Sequence, residues 1–149
     1  MDFEITLKKH TPLTSVDDLE EAAEIFLTHI GYFGPRIRGT DVRKSIAFRL
    51  FVDCFLRRSD KTWFIKELAH ELKTTQPTVC KYVNQLKAMT LIEESYIEED
   101  DGSQKRGYRL RYSSLADAWH FVEENVNVSM GNYRKSVDHI QKLAEKERK

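Results

Sequence analysis

From Leu115 to Ala144 the apolar residues of this chain hold a single phase. With an advance of about 100° per residue, Leu115, Trp119, Val122, Val126, Met130, Tyr133, Val137, Ile140 and Ala144 fall within an arc of roughly 80°, the apolar face of one amphipathic helix. The phase survives Gly131, although glycine inside a helix costs about 1 kcal/mol relative to alanine. The pattern therefore predicts one unbroken helix from about Ser114 to Glu147. Some 34 residues at the standard rise span roughly 50 Å, longer than the core of so small a chain. Part of the stripe then requires another chain, and a homodimer is the expectation. Leu115, Trp119, Val122, Val126, Met130, Tyr133, Val137 and Ile140 are its expected interface, with Trp119 and Tyr133 as dimer core rather than a ligand cage.

The chain has 149 residues, which fits one domain with an extra helix or two and not two independent cores. After Pro12, Ser15 followed by Asp18 reads as a helix start, and Leu19, Ala22, Ala23, Phe26 and Ile30 recur on one face until Gly31. Thr40 or Asp41 is expected to open a second helix, so apolar over Val42, Ile46, Leu50, Phe51, Cys54 and Phe55 that it belongs at the centre. Trp63 to Ile65 suggests a very short strand. Ile65, Leu68, Ala69 and Leu72 then share a helix face, Lys73 to Pro77 is a turn, and Val79, Val83 and Leu86 continue the spacing on another helix. Thr75 can cap that second helix, with Pro77 in its first turn, where a missing N–H costs nothing. After Leu91 and Ile92, a polar tip from Glu98 to Arg106 and the alternation of Tyr108, Leu110 and Tyr112 with Arg109 and Arg111 predict a β-hairpin.

Charge sharpens this picture. The chain carries 24 basic and 24 acidic residues, so its total does not announce a nucleic-acid partner. Its distribution is uneven: residues 1–30 hold two basic and seven acidic residues, residues 31–92 twelve and five, and residues 93–101 six acids without a base. No run approaches the roughly 18 to 20 apolar residues of a membrane span, and the amino-terminal stretch is too acidic and polar for a signal peptide. Cys54 and Cys80 are too few for a disulfide scaffold and too far apart for a C-x-x-C motif. The cytoplasm is the expected compartment. Nucleophile-elbow, P-loop and Rossmann fingerprints are missing, and His10, His29, His70, His120 and His139 are scattered without ligand spacing. The expectation is no enzyme, no metal and no cofactor.

The stretch Trp63 to Tyr112, with I-K-E-L-A-H-E-L, then T-Q-P-T-V-C-K-Y-V-N-Q-L, then L-I-E and a hairpin ending G-Y-R-L-R-Y, resembles the winged helix-turn-helix domain of prokaryotic transcription regulators. It looks most like the MarR-like group, including its GbsR-type branch, where flanking helices form a dimer. The resemblance implies a mainly α fold with a small antiparallel β-hairpin, divided into an N-terminal helix and basic turn (1–39), a winged helix-turn-helix domain (40–112) and a long C-terminal dimerisation helix (113–149). It further implies a homodimeric, sequence-specific DNA-binding regulator, open to control by a small-molecule effector that the sequence does not name.

Carried over by position, Gln76 to Met89 is the recognition helix. Val79, Val83 and Leu86 would be core, while Gln76, Thr78, Lys81, Tyr82 and Gln85 would face double-stranded DNA. Glutamine can pair bidentately with adenine, threonine can touch the thymine methyl, and lysine can reach guanine or phosphate. Lys105, Arg106 and Arg109 are the expected wing contacts with the DNA backbone. The wing departs from a basic pattern, since Glu98, Glu99, Asp100 and Asp101 precede these cations. Arg36, Arg38, Arg43 and Lys44 form a second basic run, suited to phosphate or to neutralising the acidic first helix. Winged helices also serve as protein-interaction modules, and the neutral charge and acidic tip keep that alternative open.

Overall fold

The computed structural model describes residues 3–34 and 39–148. Arg36 and Arg38 lie outside the described residues. Among the described residues the architecture is mainly helical, with five α-helices and one two-stranded antiparallel sheet. Helix α1 covers Leu19–His29, and its cap is Asp18, whose carboxylate accepts from the Glu21 N–H, rather than the expected Ser15. Tyr32 follows it into the core and donates its hydroxyl to the Ala47 carbonyl at 2.6 Å, which leaves its buried oxygen satisfied.

The central helix differs from the sequence expectation at its start. Gly39–Lys44 is a 3₁₀ turn, and α2, Ile46–Arg49, opens at Ser45, whose hydroxyl accepts from the Phe48 N–H. Serine supplies the cap oxygen at that point, so Val42 reaches the core from the turn and not from the helix. Helix α2 runs directly into a π-helical stretch, Leu50–Leu56, with Leu50, Phe51, Val52, Cys54 and Phe55 all buried. Within this stretch the Cys54 carbonyl accepts from the Trp63 indole N–H at 3.1 Å.

Helices α3, Ile65–Glu71, and α4, Gln76–Ala88, are joined by the turn that begins at Leu72. The turn needs a left-handed residue, and Lys73 adopts it (φ 54°) while the Thr74 N–H donates to the Ala69 carbonyl. Helix α4 ends in the same way through Thr90 (φ 63°) and a bond from the Leu91 N–H to the Leu86 carbonyl. Leu68, Leu72, Val79, Val83 and Leu86 are all buried, as their spacing predicts.

Strands β1, Ile92–Glu98, and β2, Gln104–Leu110, pair from Ile92 with Leu110 to Glu98 with Gln104. The paired strands take in residues expected in the tip, so the turn itself is short and Gly102 (φ 85°) closes it. β2 stops at Leu110, earlier than expected, because Tyr112 and Ser113 turn left-handed and reverse the chain into α5, Leu115–Glu147. The short strand expected at Trp63 to Ile65 is reduced to one bridge, in which Trp63 and Tyr108 exchange both backbone hydrogen bonds at 2.7 Å.

Helix α5 is continuous through Gly131, as the phase of its stripe predicts, and Ser114 caps it by accepting from the Asp117 N–H. Its first half packs on the domain: Ala118 and Val122 are buried, and Trp119 meets Phe26 of α1 edge to face at 5.5 Å. No helix among the described residues is long and apolar enough to cross a membrane.

Gly107 sits where the hairpin presses on the Trp63 bridge. A Cβ there would come within 2.5 Å of Thr62 Cγ2 and 3.0 Å of the Trp63 carbonyl oxygen. Gly107→Ala is expected to lower unfolding free energy by about 1 to 3 kcal/mol in urea denaturation, and an unchanged midpoint would contradict this packing.

Candidate nucleic-acid interface

Helix α4 is built as its sequence directs. The Thr75 hydroxyl accepts from the Thr78 N–H at 3.4 Å, and Pro77 occupies the first turn. Val79, Val83 and Leu86 define its inner face. The opposite face carries Pro77, Lys81 and Asn84, all exposed and spaced by four and three residues. Gln76 is also exposed, and Thr78 is half-buried with its hydroxyl bonded to that of Thr75.

Two residues expected on the outer face are placed differently. The Tyr82 ring is partly buried against the core and meets Tyr32 edge to face at 6.2 Å, because the amino-terminal elements cover that flank of the helix. Gln85 lies on the same flank, half-buried, with its Oε1 shut off from solvent and without a hydrogen-bond partner. Asn84, which sequence reasoning passed over, occupies the exposed position instead. Its spacing from Pro77 and Lys81 was the available signal.

The surrounding charges are sorted by side. No Asp or Glu occurs from Lys73 through Lys87. The acids of α3 are engaged elsewhere: Glu71 pairs with Arg58 at 2.9 Å, and Glu67 pairs with Lys61 and accepts from the Phe64 N–H. Lys66, Lys73 and Lys81 are exposed and have no carboxylate within ion-pair distance among the described residues. Lys66, His70 and Lys73 are additions to the expected site, and their signal was membership of the exposed face of α3 and its turn.

The hairpin cations also have partners within the chain, as Lys81 has the Tyr82 ring 5.3 Å from its Nζ. Lys105 Nζ sits 3.9 Å from the Phe64 ring centroid, a cation–π contact. Arg106 lies 3.8 Å from Glu94, and Arg109 Nε donates to Glu93 at 2.9 Å. Arg111 shares Glu93 and lies over Phe121. Arg109 is thus half-buried in an ion pair, while Lys105 and Arg106 stay exposed. Lys87, with smaller contributions from Tyr96 and Arg106, holds the Glu94 carboxyl below its usual range. Arg43 lies 3.7 Å from Glu24 and 3.9 Å from Asp18, so this member of the second basic run faces the acidic first helix.

The apolar stripe of α5 divides in two. Val122 is fully buried within its own chain, and Leu115, Trp119 and Val126 pack partly against the same core, so these four serve the chain's own fold. Met130, Tyr133, Val137 and Ile140 are 62, 68, 53 and 63% exposed. With Ala144 they repeat at intervals of three and four, the spacing that coiled-coil seams use.

Among the described residues, no group of three or more His, Cys, Asp and Glu side chains is gathered closely enough to hold a metal ion. Burial raises the Tyr32 phenol well above its ordinary value and pushes the Cys54 thiol up to about 12. No protein-family model matches this chain, and no curated protein matches its sequence.

The two cysteines differ in reach, since Cys54 is fully buried and Cys80 on α4 is partly open. A disulfide reagent near pH 8 is expected to modify Cys80 in the folded protein and Cys54 only at the rate of unfolding. Equal rates for both thiols would contradict the packing of the π-helical stretch.

Proposed function

We propose that this chain is a homodimeric, sequence-specific DNA-binding regulator of the winged helix-turn-helix kind, with α4 as its recognition helix and the second half of α5 as its dimer seam. The observation that carries the reading is the acid-free stretch from Lys73 through Lys87, with the two α3 acids paired to Arg58 and Lys61. Gln76, Lys81 and Asn84 are exposed on α4, and the exposed Lys66 of α3 and Lys73 of the turn have no carboxylate partner among the described residues. Unpaired lysines attract phosphate, and an amide flanking them has the donor and acceptor needed to read a base edge. Thr78 supports the first turn of the helix through Thr75. In this reading Tyr82 and Gln85 position α4 and do not touch DNA. Lys105 and Arg106 are the wing residues open to the backbone, and Arg109 orients the hairpin through Glu93.

The dimer follows from the exposed seam. Burying side chains such as Met130, Val137 and Ile140 contributes about 1.5 to 3 kcal/mol each. Two copies joined there present two recognition helices, which suits a site with two-fold symmetry and half-sites roughly 34 Å apart. A protein-interaction module is the second reading, favoured by Tyr96 and Ile97, which lie exposed beside the acidic hairpin tip.

Selection of bound duplexes from a random-sequence pool tests the reading. The wild-type chain is expected to enrich one motif, and binding should weaken steeply between about 50 and 200 mM salt. Lys81→Glu is expected to lower affinity for that motif at least about tenfold, while a folded variant with unchanged affinity would overturn the assignment of α4. The pair Val137→Asp and Ile140→Asp is expected to convert a dimer to a monomer in sedimentation and to weaken binding with it. A wild-type monomer would remove the dimer from the reading.

A further inference from the structure

The chain passes from the hairpin into α5 through a strained reversal. Tyr112 (φ 57°) and Ser113 (φ 56°) both adopt the left-handed conformation, which residues other than glycine keep only where their surroundings over-determine it. Two side chains only 19 and 18% exposed, Arg111 and Glu93, hold it. Glu93 Oε1 accepts from the Tyr112 N–H at 3.3 Å and from Arg109 Nε at 2.9 Å, and its Oε2 lies 3.7 Å from Arg111 Nη1.

Arg111 reaches beyond the turn. Its Nε donates to the Thr90 carbonyl at 2.8 Å, its backbone N–H donates to the Leu91 carbonyl at 2.9 Å, and its guanidinium lies 4.2 Å from the centroid of the Phe121 ring. Thr90 and Leu91 close the end of α4, and Phe121 belongs to the second turn of α5. One residue thus spans from the recognition helix to the long helix. Among the described residues, no side chain of α5 forms a hydrogen bond or ion pair with another element. Burial of Ala118 and Val122 and the contact of Trp119 with Phe26 press α5 onto the core, but apolar contact is non-directional and does not by itself set a crossing angle.

That angle is amplified by length. From Leu115 to Met130 is about 22 Å of helix, so a pivot of about 10° at the reversal carries the exposed seam about 4 Å, close to the rise of one base pair. Two-fold symmetry doubles the displacement between the two copies of α4. We propose that Arg111 is a positioning residue that fixes the angle between α4 and α5, and with it the half-site spacing that the dimer accepts. The spacing rests on the DNA-binding dimer reading, whereas the angle does not.

The test has one arm without DNA and one with it. Residual dipolar couplings of the α4 and α5 amides in the full chain report the angle. Arg111→Met keeps an apolar chain and removes every donor. It is expected to shift or spread the angle beyond the scatter of replicate wild-type measurements. In the second arm, duplexes carry two selected half-sites whose separation is stepped by single base pairs. Wild type is expected to prefer one separation by about tenfold, and Arg111→Met to lose that preference while its affinity for one isolated half-site is unchanged. Arg111→Lys, a point charge that cannot serve Thr90, Glu93 and Phe121 together, is expected to fall between the two and stands in should Arg111→Met not fold. An unchanged angle in the folded variants would overturn the proposal, as would a wild-type spacing preference in them. Loss of isolated half-site affinity in equal measure would reduce Arg111 to a general structural role and overturn it too. A wild-type chain that binds no duplex would overturn the DNA-binding reading and the spacing with it, leaving the angle decided by the first arm.

Discussion

The Trp63 side chain, 2% exposed, joins two parts of the molecule that have little else in common. Its indole N–H binds the Cys54 carbonyl of the π-helical stretch, while its backbone exchanges two hydrogen bonds with Tyr108 of β2. A two-stranded hairpin alone is marginally stable in water, so its attachment to the helical core fixes its place. Gly107 permits the approach, because any side chain there would strike Thr62 and the Trp63 backbone. Helix α3 starts two residues after Trp63, so the same anchor sets where α3 and then α4 begin. Arg58 and Lys61 lie over the indole and also hold Glu71 and Glu67. The anchor therefore organises charge as well as packing.

That sorting of charge links fold to the proposed function. The acids of α3 are tied to the Arg58–Lys61 side, and Glu93 and Glu94 are tied to hairpin cations and Lys87. Lys66, Lys73 and Lys81 are left exposed without a carboxylate partner among the described residues, although the whole chain is neutral. Exposed ion pairs contribute little stability, commonly about 0 to 1 kcal/mol. Their larger consequence in this protein is the pattern of potential they leave at the surface.

Features governed by local periodicity were legible in the sequence. The buried faces of α3 and α4, the Thr75 cap, the hairpin and the continuity of α5 through Gly131 all follow from side-chain spacing and short-range hydrogen bonds. Features set by contacts distant in sequence were not. Tyr82 packs edge to face on Tyr32, a residue distant in sequence, and a helical wheel of α4 alone carries no trace of that contact. The α5 stripe leaves the core after Val126, so a single stripe hid two different surroundings. The start of α2 at Ser45 was a choice among neighbouring polar residues that propensity alone does not settle.

The central claim is that α4 enters the major groove in two copies held by α5. Hydroxyl-radical footprinting of the full chain on a duplex selected from random sequence tests it most directly. Two protected segments related by two-fold symmetry are expected, their centres about 10 base pairs apart, with protection lost in a folded Lys81→Glu protein. A single protected segment bound by a monomer, or diffuse protection without sequence preference, would contradict it.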